Sequence, residues 1–179
     1  QDSLQWDAVG LWREIMEGLR LAANQYEQIA SVGVDTWGVD YVLLNGHDQF
    51  AGPVISYRDG RTQGMLERAF QIVPRAEIFA ATGLQFMELS TLYQLVAARL
   101  ADDPSLKIAD GLLLMGDFFH WLLTGRRSIE LTNASTTQLL DPRTKQWSRD
   151  LLSRFELPQH LFVDPTEPGT TLGPVQSSV

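Results

Sequence analysis

Between Ile29 and Leu44 the chain reads Ile29-Ala30-Ser31-Val32-Gly33-Val34-Asp35, breaks at Thr36-Trp37-Gly38, and resumes as Val39-Asp40-Tyr41-Val42-Leu43-Leu44. Two apolar runs rich in β-branched residues, separated by a glycine-bearing break, predict two strands, and Asn45-Gly46 follows the second with a strong turn signal. Pro53-Val54-Ile55-Ser56-Tyr57 reads as a third short strand. On either side of this region the apolar spacing is helical. Leu11, Trp12, Ile15, Met16 and Leu19 share one face of a first helix, with Asp7 as its N-cap and Trp6 and Leu11 placed for a hydrophobic staple. Strands early and helices after, interleaved along the chain, give an α/β class. At 179 residues, 44% of them hydrophobic, the chain is long enough to bury one substantial core.

The middle is predicted to be helical. Thr62 is placed to cap a helix through Met65, Leu66, Ala69 and Phe70 that ends at Pro74, and a short helix through Ile78 and Phe79 ends at Gly83. Ser90 opens a helix carrying Leu92, Leu95, Val96 and Leu100, which Asp103-Pro104 stops. Leu112-Leu113-Leu114-Met115 is a buried strand or a buried turn. Asp117 is expected to cap Phe118 to Leu123, with Gly125 in the left-handed C-terminal position. A last helix spans about Ser148 to Phe155, before Pro158.

Composition removes several functions. Fourteen Lys and Arg against 22 Asp and Glu leave a net charge of -8, the wrong sign for a nucleic-acid surface, so no nucleic-acid partner is expected. Without cysteine there is no disulfide, thiolate metal site or thiol nucleophile. That fits a reducing compartment and a cytoplasmic location. No apolar stretch approaches the ~20 residues that span a bilayer, so no membrane partner is expected. Neither G-x-x-x-x-G-K-[ST] nor G-x-G-x-x-G occurs, so nothing here is built to cradle a triphosphate. The opening at Gln1 and the closing stretch Gly173 to Val179 read as cuts within a longer protein.

Two segments stand out as candidate sites. Asp35-Thr36-Trp37-Gly38-Val39-Asp40 delivers polar side chains to a sheet edge, where ligands of α/β folds usually sit. Trp37 offers a flat apolar face suited to a sugar ring, and Gly38 lets a ligand approach the backbone. The alternative is a plain strand-turn-strand with a core tryptophan. Tyr57-Arg58-Asp59-Gly60-Arg61-Thr62 places two cations, a carboxylate and two hydroxyls just after an apolar strand, matching multi-hydroxyl or anionic ligands. Its alternative is an ion pair that stiffens a turn. Asp35, Asp40, Asp59 and Asp117 could be grouped into a carboxylate metal centre, as in nucleases using two divalent ions, but no metal-ligand spacing supports one. His47, His120 and His160 are scattered and form no catalytic order.

Taken together, several segments resemble the FGGY carbohydrate kinases, in particular those that phosphorylate L-rhamnulose. The resemblance lies in Ser31 through Leu44, Ser56 through Thr62, Thr82-Gly83-Leu84-Gln85-Phe86, Ser90 through Leu95, and Thr132-Asn133-Ala134-Ser135-Thr136-Thr137-Gln138-Leu139. Trp6-Asp7 with Leu11-Trp12 and Gly18-Leu19 fits the family's first helix, and Pro168 through Gly173 its end-of-domain turn. The resemblance implies a ribonuclease-H-like, actin-like ATPase domain, residues 1–179 being most of the family's N-terminal domain without its first strands. It implies phosphorylation of a ketose, L-rhamnulose, on its 1-hydroxyl by ATP with Mg²⁺, in a cleft completed by a C-terminal kinase domain. Fuculose or xylulose kinases are the nearest alternatives, and a ribonuclease-H-like metal-dependent nuclease the alternative from another class.

By the same resemblance, Trp37 and Gly38 fall on the sugar-contacting loop, and Tyr57, Arg58 and Asp59 on the next loop facing the pocket. The general base and most of the adenosine site belong beyond Val179, so no catalytic residue, cofactor-binding residue or metal ligand is assigned here. Asp35 and Asp59 bind a hydroxyl or brace the loop. Without that base and the family's first strand and glycine-rich phosphate-binding turn, the piece is expected to be inactive alone; the absent strands would leave an unpaired sheet edge, so it is also expected to self-associate or be marginally stable.

Overall fold

Tyr41 to Leu44 is apolar at every position, so the strand it makes must be covered on both faces. In the computed structural model, which describes residues 3–179, this strand, β1 (Tyr41–Leu44), is buried along its length. It pairs antiparallel with β2 (Gly111–Leu114), with Tyr41 opposite Leu114 and Leu44 opposite Gly111. The run at Leu112 to Leu114 is therefore a strand. The chain passes from β2 straight into α6 (Met115–Thr124), which packs back on both strands. Leu112, Leu113, Leu114, Met115 and Phe118 are almost fully shielded from solvent.

α4 (Thr91–Leu100) is the other buried helix, with Thr91 through Ala98 all inside. It packs against α2 (Met65–Ile72) and against two 3-10 turns, Gly60–Thr62 and Ser135–Thr137. α3 (Arg75–Thr82) and α6 end as glycine dictates: Gly83 and Gly125 adopt φ of 63° and 73°, the left-handed C-terminal conformation. α1 (Ala8–Gln25) begins where its cap predicts, the Asp7 carboxylate accepting the Gly10 N–H at 2.8 Å. α7 (Leu131–Ala134), the small hairpin β3 (Leu140–Asp141) and β4 (Gln146–Trp147), and α8 (Arg149–Arg154), capped by Ser148, complete the body.

The structure corrects several expectations. Residues 29–35 form no strand; Ile29 and Val32 are 46% and 39% exposed. The composition suits a strand, but a strand needs a neighbour to receive its backbone groups, and among the described residues no strand pairs with this segment. Pro53 to Tyr57 makes a single antiparallel bridge, Ile55 to Gln5, because Pro53 has no N–H to donate and the chain turns at Tyr57. α2 is preceded by Gly64 at φ 70°, and Thr62 belongs to the 3-10 turn before it. Asp103 opens a helix: it caps α5 (Pro104–Ile108), whose first position takes the proline. Asp117 is not a cap, since α6 starts at Met115 and places it in the first turn.

Candidate functional site

The break between the two apolar runs is a tight turn whose exit is fixed from inside. The Asp40 N–H donates to the Gly38 carbonyl at 2.9 Å. The Asp40 carboxylate is fully buried, and its Oδ2 accepts the indole N–H of Trp6 at 2.6 Å and of Trp37 at 3.0 Å. Its Oδ1 accepts the Gln94 amide at 3.1 Å. The Trp6 and Trp37 rings lie 4.4 Å apart at 40°. Burying a carboxylate is costly unless donors surround it, and these three supply that need. The result is a tryptophan held by both its ring and its N–H.

Beside this turn lies a cavity of about 290 Å³. Asp35, Thr36, Trp37 and Gly38 form one wall, with Gly116, Asn133 and Thr136 among the residues opposite. The walls approach closely: a Cβ on Gly38 would stand 3.0 Å from Thr136 Oγ1, and one on Gly116 3.3 Å from Thr36 Oγ1. Glycine at both positions therefore sets the width. The opposite wall is placed by Glu130, which caps α7 by accepting the N–H of Thr132 and of Asn133, each at 2.9 Å. Thr136 is oriented by donating to the Asn133 carbonyl at 2.8 Å.

The inner end is acidic. Asp117 is 2% exposed; its Oδ1 accepts the Glu130 N–H at 2.9 Å, and its Oδ2 has no partner among the described residues. Burial pushes this carboxyl up to about 7, the Glu130 N–H pulling it down and the Glu130 charge adding to the rise. Burial lowers His120, against the pull of Glu130. Glu130 itself is opposed by burial, but its hydrogen bonds from Thr132 and Asn133 outweigh that and bring it below the usual carboxylate range. A larger hollow of about 800 Å³ continues from Asp117 and His120 between the Ile29 to Val34 segment and Thr166 to Gly173.

Trp37 and Gly38 line the smaller cavity; Tyr57, Arg58 and Asp59 do not. The Arg58 guanidinium lies 5.0 Å over the Tyr57 ring. Asp59 braces its loop: Oδ2 accepts the Leu4 N–H at 2.7 Å and Oδ1 the Arg61 N–H at 2.9 Å. The two bends meet behind the cavity, where Arg61 donates to Gln94 Oε1 at 2.7 Å and Gln94 donates to Asp40. Among the described residues no group of three or more His, Asp or Glu is placed to hold a metal, so Asp35, Asp40, Asp59 and Asp117 do not assemble into a metal centre. Sequence reasoning passed over Asn133 and Thr136, although both lie in a polar run that cannot be a core helix. It also passed over Gln94, a polar residue in the middle of an otherwise apolar helix.

The family model for the N-terminal domain of the FGGY family of carbohydrate kinases matches residues 1–179. The chain belongs to the FGGY family of carbohydrate kinases. A rhamnulokinase from Yersinia pestis (strain Pestoides F) is 42% identical over 168 residues, covering 94% of this chain and 35% of that protein. A rhamnulokinase from Oceanobacillus iheyensis is 36% identical over the same share of this chain and 36% of its own length. The chain thus spans about a third of the length of these curated relatives. Crystal structures of a gluconate kinase and of a ligand-bound xylulose kinase, both from Lactobacillus acidophilus, each superpose with a TM-score of 0.89 at 16% identity. Each match covers 98% of this chain and 36% of the other. That likeness shows the fold: the α/β, actin-like ATPase architecture of the FGGY sugar kinases.

Proposed function

We propose that this chain is most of the N-terminal domain of an ATP-dependent sugar kinase and supplies part of the pocket for a ketose, L-rhamnulose, phosphorylated on its 1-hydroxyl. The observation that carries the reading is the groove beside Trp37. Trp37, a glycine at the narrow point, and the polar residues Asn133 and Thr136 line one small cavity. Its volume of about 290 Å³ sits at the lower edge of the roughly 300–1,000 Å³ of small-molecule sites, which suits a monosaccharide. The rhamnulokinase names of the relatives support the choice of sugar.

In this reading Trp37 stacks on the sugar, and Gly38 keeps the wall open. Tyr57 and Arg58 stand on the neighbouring loop that Asp59 braces. ATP with Mg²⁺, the group that takes the proton from the sugar hydroxyl, and the remaining pocket contacts come from the rest of the longer protein, including a C-terminal kinase domain acting in the cytoplasm. Holding the sugar in the cleft is what this part contributes. The test is a coupled assay of ADP release by the full-length protein offered L-rhamnulose, L-fuculose and D-xylulose. L-rhamnulose should give the highest kcat/KM; a higher value for either rival overturns the assignment.

A further inference from the structure

Val39 adopts φ 69° and is buried. That left-handed conformation strains a β-branched residue and persists only where the surroundings over-determine it. Here they do. The Val39 carbonyl accepts the Thr91 hydroxyl at 2.7 Å and the Gln94 amide at 3.2 Å. The next residue, Asp40, is held by Trp6, Trp37 and the same Gln94 amide. Gln94 Nε2 also lies 2.9 Å from the Leu89 carbonyl, while its Oε1 takes the Arg61 guanidinium at 2.7 Å. Arg61 in turn lies 5.8 Å over the Tyr41 ring. One buried side chain therefore joins three loops at a strained point.

We infer that Asp40, Gln94 and Thr91 are positioning residues for ketose binding. They clamp Val39 in its strained conformation, and so hold the Trp37–Gly38 wall against the groove and couple that wall to the Tyr57–Thr62 bend. The inference rests on the ketose reading above. None of the three lines the cavity, so each acts through Val39 and the two tryptophans. A buried network that served only the core would change stability without changing how the sugar is held.

The test uses the full-length protein. Asp40→Asn keeps the shape, but whichever way the amide turns it sets a donor against a donor, either the indoles or Gln94. Thr91→Val removes only the hydroxyl. Each should raise the ketose KM about tenfold while leaving kcat and the ATP KM within about twofold, the pattern of lost ground-state positioning. Val39→Gly added to Thr91→Val should restore the ketose KM, because glycine occupies φ 69° without strain and no longer needs the clamp. An unchanged ketose KM in a less stable variant overturns the inference, as does a raised KM that glycine fails to restore. Should Asp40→Asn not fold, Thr91→Val with and without Val39→Gly carries the same test. The tryptophan emission spectrum without sugar reads the clamp separately: it should shift in Thr91→Val and return with Val39→Gly. If that holds while no ketose is phosphorylated, the proposed function fails and the clamp stands.

Discussion

Asp117→Asn should make the protein more stable at neutral and alkaline pH while changing little under acid. Asp117 is 2% exposed, one of its oxygens has no partner among the described residues, and burial moves its carboxyl from 3.8 to about 7. The folded state therefore holds this proton more tightly than the unfolded chain does. Its contribution is full below pH 3.8 and is lost as the pH climbs through 7. The loss runs at about 1.4 kcal/mol per pH unit and totals about 4 kcal/mol by pH 8. Asparagine preserves the acceptor for the Glu130 N–H and removes the titration. Glu130, shifted the other way, slopes in the opposite sense, so the comparison must be made between variant and wild type at each pH. Urea unfolding at steps from pH 4 to pH 8 supplies the measurement. The variant's advantage should grow across that window from near zero. Parallel stability curves, or a variant that weakens at pH 8, would show that Asp117 is solvated or paired in the folded protein.

Three further outcomes follow from the geometry. The 179-residue chain should self-associate, because the segment from Ile29 to Val34, of strand-like composition but in no strand, leaves Ile29 and Val32 exposed; light scattering giving a single species at 20.1 kDa would contradict this. Gly125→Ala should cost about 1 kcal/mol in chemical unfolding, since residue 125 sits at φ 73° and alanine is strained there; an unchanged midpoint would count against the left-handed cap. Gly38→Ala should raise the ketose KM of the full-length enzyme several-fold, because the new methyl stands 3.0 Å from Thr136 Oγ1 at the narrow point of the groove; an unaltered KM would place the sugar elsewhere.

What could be read without coordinates was whatever local chemistry decides. The capping carboxylate of Asp7, the left-handed glycines 83 and 125, and the wholly apolar β1 each carry their instruction within a few residues. The segment from Ile29 to Asp35 has the same composition as a strand, yet strand formation depends on a partner that local sequence does not specify. Asp117 looked like a cap because it precedes Phe118, but β2 runs directly into α6 and the helix begins at Met115, three residues before Phe118. Trp37 and Gly38, expected at an edge open to a ligand, line the small cavity. The brace behind them was not legible, since its bonds among Trp6, Asp40, Gln94 and Arg61 join pairs 33, 34 and 54 residues apart. Asp59 shows the reverse: a charged residue in a promising loop whose two oxygens are taken by backbone N–H groups.

The central claim is that a ketose lies against the Trp37 turn. A crystal structure of the full-length protein with L-rhamnulose bound tests it most directly. The account predicts the sugar ring against the Trp37 indole, with its hydroxyls within hydrogen-bonding distance of Asn133 or Thr136. A bound sugar that leaves this groove empty would contradict it.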